Sequence, residues 1–246
     1  KWVHELAPQN TLPCVFPAYT DEVPTDKTIT ILFITLLDDV LEKRRDRATF
    51  EEASKIPFEH QLIDWDRDGI DREYVEFTER VWETLVGRIE RAPEYPTYDG
   101  LFRYDVKQAI NAIEYTNLAI DRPDLATLSD LERYESHNMV MFAYADIDLM
   151  HAPPEVGDEL PTLRRAVWNA QQMARIGNWL STWERELREG DFSSGVLVYA
   201  LEQDLVDVDE LRAAANDATG EAHQRVTERV HDHDVEEVFL RRWNDH

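Results

Sequence analysis

The run Ile31-Leu32-Phe33-Ile34-Thr35-Leu36-Leu37-Asp38-Asp39-Val40-Leu41-Glu42 turns from apolar to acidic within one residue. Apolar side chains at three- and four-residue spacing predict a helix here, part of a longer one over 27–47. On that helix Asp38 and Glu42 share a face, about 5–6 Å apart, with Asp39 beside them. Oxygen ligands at this spacing suit Mg²⁺, a hard cation that keeps several waters and bridges carboxylates to phosphates. In a chain with 51 acidic residues such a run also arises as a plain solvated face, so it needs a second feature to carry weight.

The second feature is Asn178-Trp179-Leu180-Ser181-Thr182-Trp183-Glu184-Arg185-Glu186. Asn178, Thr182 and Glu186 recur every four residues, which lays an amide, a hydroxyl and a carboxylate along one helix stripe. Two neutral oxygens and one carboxylate hold a divalent ion without neutralising it, leaving positive charge for a phosphate. The bland alternative is a polar helix face. The two patterns gain force together, because each lies on a long predicted helix with apolar or aromatic neighbours.

Outward from these motifs, helices are predicted at about 27–47, 70–91, 99–120, 128–150, 160–189, 193–203 and 219–242. They are separated by Pro57 with the Asp-rich run 64–71, by Pro93 to Pro96, by Pro123, by Pro153 to Pro161 and by Gly190. Residues 1–26, with four prolines, read as an irregular arm. Strand signals are nearly absent, and neither an internal repeat nor a low-complexity tract interrupts the pattern. The expectation is a single all-α domain over 1–246.

With both motifs in view, the chain resembles the class I terpene synthases. That family carries an Asp-Asp-x-x-Asp/Glu motif and, downstream, Asn or Asp, then Ser or Thr, then Glu at four-residue intervals. The resemblance implies a helical bundle around a central cavity, a prenyl diphosphate substrate and two or three Mg²⁺ ions held by Asp38, Asp39, Glu42, Asn178, Thr182 and Glu186. It implies that Arg185 contacts the diphosphate, and that the Gly190-Asp191 pair marks the helix end. The diphosphate-sensing Arg of the family lies some 45 residues upstream of the Asn; Arg133 meets this spacing, while an alternative alignment puts Asn138 at that place. Arg242, with Arg241 and Trp243, stands where the family has an Arg-Tyr pair. Phe33, Phe142, Trp179 and Trp183 would line the substrate cavity, with Trp168 and Tyr144 nearby, although core packing is the plainer role for most of them. Trp179 departs from the Asp that usually follows the Asn. Only 37 residues precede Asp38 where the family has two helices, so N-terminal helices are missing or the barrel is abridged. Prenyl-chain synthases and squalene- or phytoene-type enzymes share the fold but typically lack the Asn, Thr, Glu stripe. A non-catalytic isoprenoid-binding protein would lack Mg²⁺-dependent diphosphate release.

Two further clusters are decoys. Asp64-Trp65-Asp66-Arg67-Asp68-Gly69 opens like an EF-hand loop, but its twelfth position is Val75, and Glu76 comes one residue late. An Asp-rich turn capping helix 70–91 is the better reading. His231-Asp232-His233-Asp234 has metal-binding residue types, but alternating helical residues point apart, and a solvated helix start is expected.

Composition excludes several function classes. A formal charge of −25 repels nucleic acid and anionic lipid. No apolar run is long enough to span a membrane, so no stable membrane insertion is expected. One cysteine, Cys14, permits no intrachain disulfide and fits a reducing, cytoplasmic setting. A homodimer is compatible with all of this. Lysine is scarce, occurring only at 1, 27, 43, 55 and 107, and acid enrichment with lysine depletion is the composition expected of a halophilic archaeon. There, salt screens like-charge repulsion to within a few ångströms. Helical circular dichroism and the melting temperature should therefore rise between 0.1 M and 2 M KCl; unchanged values would exclude a salt requirement.

Overall fold

Among residues 7–246, which the computed structural model describes, the helical periodicity becomes eleven α-helices and no strand. They are α1 (Val23–Glu42), α2 (Arg47–Ala53), α3 (Arg72–Ile89), α4 (Tyr95–Asp121), α5 (Leu128–Arg133), α6 (Met141–Met150), α7 (Leu160–Glu189), α8 (Gly195–Glu202), α9 (Val208–Asn216), α10 (Glu221–Asp232) and α11 (Val235–Asp245). The first six residues of the expected arm lie outside the described residues. The rest of it holds two short 3-10 turns, Ala7–Asn10 and Pro17–Tyr19, before α1 begins.

Contacts divide the chain into two compact units, Lys1–Ile113 with Val140–Trp168, and Glu114–Met139 with Asn169–His246. In the first, α1 packs on α2, α3 and α6. Phe33, Ile34, Leu37, Val40 and Leu41 form its buried stripe. Phe33 meets the Trp82 ring at 4.9 Å, and Trp82 stacks on Phe102 at 5.9 Å. Aspartates cap α2 and α3: Asp46 accepts the Thr49 amide, and Asp71 accepts the Tyr74 amide, each satisfying an orphan donor of a first turn.

Charges are buried in this unit too. Lys27 donates to Asp148 at 2.7 Å, and both side chains are essentially inaccessible. Lys27 also donates to the Asn10 carbonyl, and the Leu12 amide donates to Asp148. Burial pushes the Asp148 carboxyl up to about 6, against the pull of Lys27, and pushes the Lys27 amine down. Arg88 pairs with buried Asp26. Arg164 grips Asp105 with two bonds, at 2.8 and 3.1 Å, and lies 3.7 Å from Asp146. Burial, and then the neighbouring Asp105 charge, hold the Asp146 carboxyl well above its usual range.

In the second unit, α5 packs on α8, α8 on α11, and α10 on both α9 and α11. Its core is built from Ile176, Trp179, Trp183 and Leu187 of α7 with Val196, Leu197, Val230, Val235 and Phe239.

Two expected helices are broken. In place of one helix over 128–150 stand α5, a 3-10 turn at Glu135–Met139 and α6, with Val140 in the left-handed region at φ 59°. A β-branched residue is costly there, by about 1–3 kcal/mol. The turn is fixed by buried Glu135 and Ser136, so tertiary bonding overrides local preference. The expected helix 219–242 breaks at Asp234 (φ 52°) into α10 and α11. Val230 and Val235 are both fully buried, yet on one continuous helix they would point about 140° apart. Helix α9 falls outside every expected span, and α2 shares only Arg47 with the expected helix 27–47.

Lys27→Met should destabilise the protein by about 3–5 kcal/mol at pH 8, because it strands a buried carboxylate. The sign with pH follows from the raised Asp148 value: a protonated Asp148 favours folding, and that contribution is lost as pH rises through about 6. The deficit should therefore narrow toward pH 5, and Lys27→Met/Asp148→Asn should recover much of the loss. Urea unfolding in molar KCl checks this; a deficit independent of pH would exclude Asp148 as its source.

Candidate functional site

The acidic motif forms the last turn of α1, where Asp38, Asp39 and Glu42 are half-buried. Asp39 accepts from Lys43 at 2.5 Å, an exposed i,i+4 pair. The helix stops because the Lys43 amide closes on the Asp39 carbonyl and Arg45 turns left-handed at φ 55°. Tyr74 donates to the Leu36 carbonyl at 2.6 Å and so fastens this turn to α3, while the Arg44 guanidinium lies 4.5 Å over the Tyr74 ring.

The triad lies on α7, where two stripes run side by side. Ile176, Trp179, Trp183 and Leu187 are at most 1 % exposed and form the core stripe. Arg175, Asn178, Thr182 and Glu186 each precede one of these residues, and so lie about 100° around the helix, at the edge of the core. The Thr182 hydroxyl donates to the Asn178 backbone carbonyl at 2.7 Å, leaving its oxygen lone pairs as donors for a ligand. Glu186 keeps 15 % of its side-chain surface. Burial raises its carboxyl, Asp191 adds to this, and Thr182, Arg175 and Arg185 counter it. Three hard oxygens on one half-buried stripe fit a divalent ion. Among the described residues no three His, Cys, Asp or Glu side chains form a preassembled cage.

The other expected residues fall as follows. Arg185 donates to Glu189 at 2.6 Å and lies 3.6 Å from Glu186, with more than half of its side chain exposed. Arg133 is exposed in the last turn of α5 beside the Tyr134 ring, and Asn138 is half-buried in the following 3-10 turn. Arg242 donates to Glu132 at 2.6 Å. Trp179 and Trp183 are core residues of the second unit, and Phe33 is a core residue of the first. Trp179 meets Phe239 edge-on, and Trp183 donates to Glu236 at 2.9 Å. Phe142 sits beneath the Arg164 guanidinium at 4.4 Å, with Trp168 at 6.4 Å.

Sequence reasoning missed Arg175 and Glu135. Arg175 is 7 % exposed and donates twice to the fully buried Glu135 and once, at 2.9 Å, to Asn178 Oδ1. A cation three residues before the triad, in a chain this acidic, was the available signal.

The family model for the C-terminal metal-binding domain of terpene synthase family 2 matches residues 30–232, a span that contains both motifs. The chain belongs to the terpene synthase family. No curated protein and no solved structure matches it. The all-α architecture is that of the family, and the metal-binding description fits divalent-metal use by this terpene synthase.

Both decoys have structural work in this terpene synthase. Asp64 takes the Asp66 amide, Asp66 pairs with Arg72 at 2.8 Å, and Arg67 reaches Glu51 and Glu52. Asp71 caps α3, as the turn reading expects. The His231 to Asp234 run is a helix end and a restart, where a helix start was expected. His231 lies 3.5 Å from both Glu184 and Glu236.

Trp179 is locked by Gly195, where an added Cβ would come within 2.6 Å of the indole. Gly195→Ala should therefore cost about 1–3 kcal/mol through overpacking. An unchanged melting temperature would show that the indole has room to yield.

Proposed function

We propose that this chain ionises a linear prenyl diphosphate with Mg²⁺ to give a cyclic or linear terpene and inorganic diphosphate. The observation that carries this reading is the half-buried Asn178, Thr182, Glu186 stripe, an oxygen donor set with one carboxylate. Family membership supports the same reaction class. Asp38, Asp39 and Glu42 would hold further Mg²⁺, two or three ions in all. When bound, Mg²⁺ neutralises the charge that develops on the departing diphosphate. The chain's own residues orient that group. Arg185 donates to diphosphate oxygens from the exposed edge of the stripe, and Arg133 or Asn138 senses the same group. The allylic C–O bond breaks with its electron pair on the diphosphate oxygen, and the carbocation then cyclises or loses a proton inside an apolar pocket that excludes water. Aromatic side chains lining that pocket stabilise positive charge through their ring faces. The setting we infer is a salt-rich cytoplasm.

The raised Glu186 carboxyl gives this site a pH signature. Metal binding needs the ionised carboxylate, so divalent affinity should weaken as pH falls, beginning above the ordinary glutamate range.

The test is Glu186→Gln against Glu184→Gln, assayed with geranyl, farnesyl and geranylgeranyl diphosphates plus Mg²⁺ in high salt. Glu184 projects from another face of α7, beside His231 and Arg188. Glu186→Gln should lose at least about 10²-fold in diphosphate release, while Glu184→Gln retains the parent rate, and both should melt near the parent temperature. Equal activity in the two variants would remove the triad from the mechanism.

A further inference from the structure

Asn178 presents a chemical ambiguity. Its amide has two ends of nearly the same shape, an oxygen that can ligate a cation and an NH₂ that cannot. Only a directed donor holds the oxygen end in place, and the structure contains one. Arg175, one helical turn before Asn178, donates from Nη1 to Asn178 Oδ1 at 2.9 Å. The guanidinium is itself fixed on two more sides. It donates to both Glu135 carboxylate oxygens, and its central carbon lies 5.4 Å from the Trp179 ring centroid. Glu135 is in turn anchored by the Thr116 hydroxyl at 3.3 Å and belongs to the 3-10 turn that Gln172 holds through Ser136, while also donating to the Glu132 carbonyl of α5.

The charges matter as much as the geometry. A lone guanidinium beside a cation site would repel the ion. Paired with Glu135, it becomes a donor of no net charge, able to orient the amide while the second lone pair of Oδ1 stays available to a ligand.

We infer that Arg175, neutralised by Glu135, is a positioning residue that fixes Asn178 with its amide oxygen, rather than its NH₂, set for a divalent ion. This rests on the triad being a metal site, as proposed above.

The test is Mn²⁺ binding to the ligand-free protein by electron paramagnetic resonance in 2 M KCl, the triad site being the one that Glu186→Gln abolishes. Arg175→Met/Glu135→Gln removes the donor without stranding a buried carboxylate. It should weaken that site about 10- to 100-fold, the usual loss when a partner that orients a ligand is removed. In an Asn178→Asp background the same pair of changes should cost less than about threefold, because either end of a carboxylate can ligate. Equal losses in both backgrounds, or none in the parent, would overturn the inference. If the double variant fails to fold, Arg175→Lys serves instead. It keeps a cation for Glu135 but loses the fork that also reaches Asn178, and an unchanged Mn²⁺ affinity in that folded variant would likewise overturn the inference. Full Mn²⁺ binding in Glu186→Gln would sink the metal reading of the triad itself, and the role of Arg175 with it.

Discussion

Burying a carboxylate is expensive unless a cation and hydrogen-bond donors go with it, and both units of this chain are built around that constraint. The chain has 51 acidic residues and 26 Lys and Arg. Several of the basic residues are committed inward: Lys27 to Asp148, Arg88 to Asp26, Arg164 to Asp105, and Arg175 to Glu135. Each pair joins segments distant in sequence, which ties the fold to a particular arrangement of the elements that carry the partners. Asp146 shows the limit of the supply: one guanidinium serves it and Asp105 together, and burial, with the Asp105 charge beside it, still holds its carboxyl up.

Helix α7 shows how such a pair orders the polar side chains around it. Its core stripe of Ile176, Trp179, Trp183 and Leu187 anchors the helix, and the adjacent polar stripe is carried at the core margin. Polar groups there are desolvated enough to be oriented by fixed partners, yet open enough to take a ligand. The same logic explains the split of the expected helix 128–150. A continuous helix follows local preference, but the observed 3-10 turn at Glu135–Met139 buries Glu135 against Arg175 at the cost of a left-handed Val140.

Much of this architecture was legible in the sequence. The periodic runs 27–47, 70–91, 99–120 and 160–189 correspond to α1, α3, α4 and α7, because an apolar stripe at helical spacing has few other uses. Both motifs were readable for the same reason: residues four apart share a helix face whatever the tertiary structure. The breaks at Val140 and Asp234 were not readable, since each answers a demand made by residues far along the chain. Arg175 escaped notice because its role depends on Glu135, forty residues away. The tryptophans at 179 and 183, read from the sequence as cavity wall or core, lie in the core of the second unit, about 100° around α7 from the polar stripe.

The burial of Lys27 also makes the chain's few amines informative. The Lys43 side chain is largely exposed, and Lys107 is exposed on α4. Lys27, by contrast, is buried on the inner face of α1, bonded to Asn10 and Asp148. An amine-reactive reagent applied to the folded chain will label the surface lysines at once and reach Lys27 only when the first unit opens. The labelling rate of that one amine is therefore a clock for the opening of the unit that bears the acidic turn, independent of any catalytic assay.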